Sequence, residues 1–148
     1  MLSVGVLGKL LVYAYRAEFD EGEVIFGLLP EIPNEDDWNT LMTMFKDNVI
    51  HMEMLERALD LLGLEPPELR PIEIPKVSDR NKILEYVAKF EVTAYNYYRY
   101  LLENTNFEKI PEGEEISKIL KTLVDWEKRH VEMIRKTLDN FKVRYKLL

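Results

Sequence analysis

The chain contains no cysteine. Disulfides, thiolate metal sites, iron–sulfur ligation and cysteine nucleophiles are therefore excluded together. Glutamine is also absent while Glu and Lys are abundant, a composition compatible with a heat-adapted cytosolic protein, and a cytoplasmic location is expected. No block of Lys and Arg stands apart from acidic neighbours. With 20 basic against 27 acidic side chains the formal net charge is -7, so nucleic acid and anionic membrane surfaces are poor partners. Long apolar runs are lacking too. The most apolar stretch, Met1 to Ala17, is broken by Lys9 and Arg16, has no basic segment ahead of it and is too short to span a bilayer. It is expected to begin a helix of the mature protein.

What is present suits one domain spanning residues 1–148. Apolar residues make up 47% of the chain, enough for a core and too many for intrinsic disorder. Four segments carry apolar residues at three- and four-residue spacing, which predicts helices over about residues 4–29, 37–62, 79–104 and 114–141. Asp36 or Asp37 is the expected N-cap of the second, and Gly63 the expected residue just past its end. Between the second and third segments lie Pro66, Pro67, Pro71 and Pro75, a density that no helix interior tolerates. Helices of about 25 residues are roughly 37 Å long. Four of them with two short joints and one long one predict an all-α four-helix bundle whose long crossover lets helices 2 and 3 run parallel.

The two halves echo each other. His51-Met52-Glu53-Met54-Leu55 aligns with His130-Val131-Glu132-Met133-Ile134 at an offset of 79 residues, and Glu18 aligns with Glu91 at an offset of 73. Amphipathic patterning alone predicts apolar residues on such stripes. Here each odd helix places a Glu on its stripe, and each even helix a His. A carboxylate buried without a partner is costly, so Glu18 and Glu91 require a cation or a proton if their stripes face the core. Glu127 and His130 are three residues apart and can turn toward one point. Divalent first-row metals accept this mixture of carboxylate oxygen and imidazole nitrogen.

A Glu on each of two helices and a Glu-x-x-His on the others resembles the ferritin-like dimetal carboxylate families, especially the rubrerythrin-related branch. The resemblance covers roughly residues 4–141 and implies that Glu18 and Glu91 are terminal ligands, His51 and His130 supply one imidazole to each metal, and Glu127 is one of two bridges. This chain departs from the pattern at Asn48, a neutral amide where the second bridging carboxylate is expected. Asp47 is rotated by about 100° from that position and does not inherit it simply. Glu21, one turn beyond Glu18, is the candidate replacement; the corresponding helix 3 position is Ala94. Asn48 and Tyr95 are the candidates for hydrogen bonds to the ligands.

The resemblance implies two divalent ions, iron foremost and manganese or a mixed pair as alternatives, and an oxidoreductase acting on peroxide or dioxygen with ferroxidase-like chemistry. Rubrerythrin-like proteins often carry a cysteine-bound iron module; without cysteine, the electron donor would be another protein. A homodimer is expected, and a storage cage is not. The competing reading is a metal-poor, non-catalytic bundle with a structural or protein-interaction role that retains a degenerate site. A lone His on an apolar stripe is more often a hydrogen-bonded core residue than a ligand. Met42, Met44, Met52 and Met54 are read as packing or dimer-contact residues rather than haem ligands, and Glu23, Glu53 and Glu132 as solvated. Trp38 and Trp126 receive no functional role.

Overall fold

Capping residues decide where the helices begin. Ser3 accepts from the Val6 N–H at 3.2 Å, Asn34 from Asp36 N at 2.8 Å and Asp37 N at 3.1 Å, and Asp79 from Lys82 N at 3.0 Å. In the computed structural model, which describes residues 1–138, these caps start α1 (Val4–Leu28), α2 (Glu35–Leu61) and α3 (Arg80–Glu103). The last helix, α4 (Gly113–Thr137), follows Glu112 at φ 59°. A Cβ on Gly113 would lie 1.9 Å from the Phe107 carbonyl oxygen, so only glycine fits that tight entry.

The expected cap of α2 at Asp36 or Asp37 is corrected to Asn34, because Asp37 is engaged elsewhere: its carboxylate takes a two-pronged contact from Arg80. Gly63, at φ 72°, ends α2 as expected, with Leu64 N donating to Leu59 O. The expected end of the fourth helix at Phe141 lies outside the described residues. From residue 63 or so to 79 the proline-rich connection forms neither helix nor strand.

Contacts at the helix ends fix the topology. Leu2, ahead of α1, pairs with Thr105, just beyond α3, so these helices are antiparallel. Arg80 at the start of α3 grips Asp37 at the start of α2, so those two are parallel, and Arg57 near the end of α2 meets Glu115 at the start of α4. The result is an all-α, ferritin-like four-helix bundle: α1 packs on α2, α3 on α4, and the long crossover carries the chain back along the bundle. Among the described residues no helix is long and apolar enough to cross a membrane.

The core is divided. One apolar cluster, including Ile25, Leu41, Leu84 and Ile134, fills the end where α2 and α3 begin; a second, including Leu11, Leu55, Leu101 and Leu120, fills the other. Between them lies a layer of buried polar side chains: Glu18, Glu21, Asn48, His51, Glu91, Glu127 and His130.

Arg80 closes one end of the bundle by bonding both oxygens of the nearly buried Asp37, at 2.8 and 3.1 Å, and the Thr137 carbonyl at 3.0 Å. Arg80→Ala leaves that carboxylate without its partner and is expected to cost about 1.5–3 kcal/mol, the range for hydrogen bonds to charged groups, measured by chemical denaturation.

Candidate metal centre

Helical periodicity brings the polar layer together. Residues three, four and seven apart share a face, so Glu18 and Glu21 on α1, Asn48 and His51 on α2, Glu91 on α3, and Glu127 and His130 on α4 all turn inward; each is at most 3% exposed. Their donor atoms form two groups, Glu18–His51–Glu127 and Glu91–Glu127–His130, in each of which one atom per residue lies within 4.8 Å of the others. Glu127 belongs to both.

Around the first group, His51 Nδ1 lies 2.9 Å from Glu127 Oε1 and 3.4 Å from Glu18 Oε1. Neither approach has the direction of a hydrogen bond, and His51 Nδ1 and Nε2 and both Glu127 oxygens have no hydrogen-bonding partner in the protein. In the second group, His130 Nδ1 lies 3.2 Å from Glu91 Oε2 and 3.7 Å from Glu127 Oε2, while Glu91 Oε1 is without a partner. Buried polar atoms are nearly always paired. A set of lone-pair donors crowded together and left unpaired is the environment a cation satisfies, so the residues present fit a pair of divalent ions.

Asn48 holds the α1 glutamates. Its side-chain amide donates to Glu18 Oε2 at 2.6 Å and Glu21 Oε1 at 2.7 Å, with Glu18 O at 3.3 Å, while its own Oδ1 and Glu21 Oε2 stay unpaired. Glu21 is thus inside the polar layer, clasped by Asn48, although it is not a member of either triad. Tyr98 donates its hydroxyl to Glu18 Oε1 at 2.7 Å. The ligand contact expected of Tyr95 falls to Tyr98; Tyr95 belongs to the apolar cluster that includes Ile25 and Leu84, with the Arg99 guanidinium over its ring.

Sequence reasoning set Asp47 aside, yet its carboxylate sits 2.7 Å from His130 Nε2. An acceptor at Nε2 holds a proton there and turns Nδ1 toward Glu91 and Glu127; the charged ring carries a proton on Nδ1 too, and its loss frees that nitrogen's lone pair. Trp126 lies edge-on to His51, ring centres 4.9 Å apart. The 79-residue offset places Asp47 against Trp126, the signal that could have drawn attention to both.

Electrostatics follows from burial among like charges. Burial, then Glu91, Glu127 and Glu18, holds the Glu21 carboxyl well above its ordinary value. Burial and Glu127 push Glu91 up to about 8 against the pull of His130. For the histidines burial opposes the charged ring, but Glu127 with Glu18 raises His51 to about 10, and Glu127 with Glu91 raises His130 to about 12. Burial also pushes Glu127 upward, but its contacts with Glu91, His130 and His51 bring it below the usual value.

Part of the chain is similar to a known family. Residues 82–148 match the Rubrerythrin family model. That stretch holds most of α3, all of α4 and three of the layer's ligand candidates, Glu91, Glu127 and His130, and it supports the rubrerythrin resemblance. No curated protein and no solved structure matches the chain.

The shifts set a pH dependence for the metal-free protein. Glu21, Glu91, His51 and His130 all bind protons more tightly folded than unfolded. The unfolded chain therefore binds fewer protons, and stability falls as pH rises. The Glu91 contribution fades from its unfolded value near 4.5 to about 8, and the histidine contributions fade above 6.5. Glu127, shifted the other way, contributes stability above 4.5 that is lost as pH falls below it. Denaturation midpoints of metal-free protein between pH 5 and pH 9 are expected to decline steadily; a rise over that range would contradict the protonated network.

Proposed function

We propose that the chain is a rubrerythrin-related dimetal carboxylate protein holding two iron ions, or manganese in their place, and that it is an oxidoreductase acting on dioxygen or peroxide. The observation that carries this reading is the pair of buried carboxylate–imidazole triads that share Glu127. A carboxylate shared between two His-bearing groups can hold two ions side by side.

Glu18 and His51 would hold one ion, Glu91 and His130 the other, with Glu127 between them. Such a pair supplies two one-electron redox centres side by side. Glu21 completes the set. With Glu18, Glu91 and Glu127 it makes four buried glutamates, whose charge when ionised matches two divalent cations. A fifth carboxylate at position 48 would leave surplus negative charge; the Asn48 amide instead donates to Glu18 and Glu21 and orients them. Apolar side chains above and below the layer shield it from bulk water at those two ends, which strengthens the interactions within it. The Tyr98 hydroxyl is a proton-bearing group in direct contact with a ligand oxygen, Glu18 Oε1. Electrons would come from a separate donor protein, and two-fold association is expected.

The competing reading, a bundle stabilised by its own polar network, draws on the Asn48 clasp, which satisfies part of the layer without metal. The two differ in stoichiometry. Anaerobic reconstitution with ferrous iron followed by elemental analysis is expected to give two ions per chain. Glu127→Gln keeps the shape but removes the shared charge and is expected to lower both occupancies together, whereas Glu91→Gln spares the Glu18–His51 position. Asn48→Glu is expected to leave the count at two; a rise from one to two would show that Glu21 does not complete the native site. No iron retained by the unsubstituted chain would leave the structural reading standing.

A further inference from the structure

The repeat that builds the site is broken in ways that make its two ends unequal. At an offset of 79 residues, Asp47 occupies on α2 the place that Trp126 occupies on α4, and at an offset of 73 Tyr98 corresponds to Ile25. Each breach acts on a named ligand.

At the Glu91–His130 end, the Asp47 carboxylate meets His130 Nε2 at 2.7 Å, orienting the ring and making Nδ1 more basic. Glu91 keeps Oε1 free of hydrogen bonds. The Glu18–His51 end is the reverse. His51 Nε2 is buried without an acceptor, and the neighbour at the position corresponding to Asp47 is the Trp126 ring, which cannot accept a hydrogen bond from it in the manner of a carboxylate. Glu18 has both oxygens already engaged, Oε1 by Tyr98 at 2.7 Å and Oε2 by Asn48 at 2.6 Å. Donors on a carboxylate draw away the electron density a cation would use.

We infer that Asp47 is a positioning residue that makes the two metal positions inequivalent, so that a divalent cation fills the Glu91–Glu127–His130 position first and the Glu18–Glu127–His51 position second and more weakly. The inference rests on the dimetal reading and deepens it: one ion is the anchored member of the pair, and the ion at the His51 end is the exchangeable one. Loss of an orienting partner behind a metal-bound histidine costs about 10–100-fold in affinity, and that sets the scale of the expected difference.

The chain has two histidines, one per position, so each ion can be followed separately. Zinc is titrated into the metal-free, full-length protein carrying ¹⁵N-labelled histidine. The first equivalent is expected to shift the ring nitrogens of His130 and the second those of His51. Asp47→Ala is expected to weaken the first step by about 10–100-fold and bring the two steps together, with loss of the solvent-protected His130 Nε2 proton resonance. Asp47→Asn retains an acceptor oxygen and is expected to restore that resonance and part of the affinity, which a purely structural role would not require. Shifts at His51 first, or at both rings in one step in the unsubstituted protein, would overturn the inequivalence while leaving the dimetal reading intact. Zinc at neither histidine would overturn both.

Discussion

Four carboxylates at the centre of a small helical bundle set the terms for everything around them. Glu18, Glu21, Glu91 and Glu127 are all nearly or wholly withdrawn from water, and even after relaxation the penalty for burying an ion is several kcal/mol. The total stability of a domain is about 5–15 kcal/mol, so four uncompensated charges would exhaust it. Compensation must come from protons or from cations. Without metal the layer takes protons, which is why the glutamates at 21 and 91 and both imidazoles shift toward their protonated forms. Were metal bound, the same atoms would be its ligands. Protons and cations would compete for one set of lone pairs, which would tie metal affinity to pH.

The fold serves this layer by isolating it. Separate apolar clusters fill the two ends of the bundle, and the end-to-end ties, Arg80 to Asp37 and Leu2 to Thr105, hold four helices in register. Parallel α2 and α3, made possible by the long proline-rich crossover, bring the His of α2 and the Glu of α3 to the same height as their counterparts on α1 and α4. A short turn in place of that connection would reverse α3 and place Glu91 on the opposite course through the bundle. The proline-rich segment is thus as necessary to the site as the side chains that form it.

Much of this was legible from spacing. The stripes placed Glu18, Glu21, Asn48, His51, Glu91, Glu127 and His130 on inward faces, and each is buried in the structure. The rest depended on distances between helices, which periodicity does not contain. Asp47 lies off the stripe of its own helix but against the histidine of another. Tyr95 and Tyr98 share a face of α3, and which hydroxyl reaches Glu18 follows from the rise of the helix relative to α1, not from sequence spacing. Asn48 read as the loss of a bridging carboxylate; its geometry shows an amide joining two others.

The central claim is that two ions share Glu127 between His51 and His130. Anomalous diffraction at the iron edge, on crystals of the chain reconstituted anaerobically with ferrous iron, tests it most directly. The account predicts two peaks about 3.5–4 Å apart, one beside the Nδ1 of each histidine, with the Glu127 carboxylate between them. Peaks away from both histidines, or none within the bundle, would contradict it.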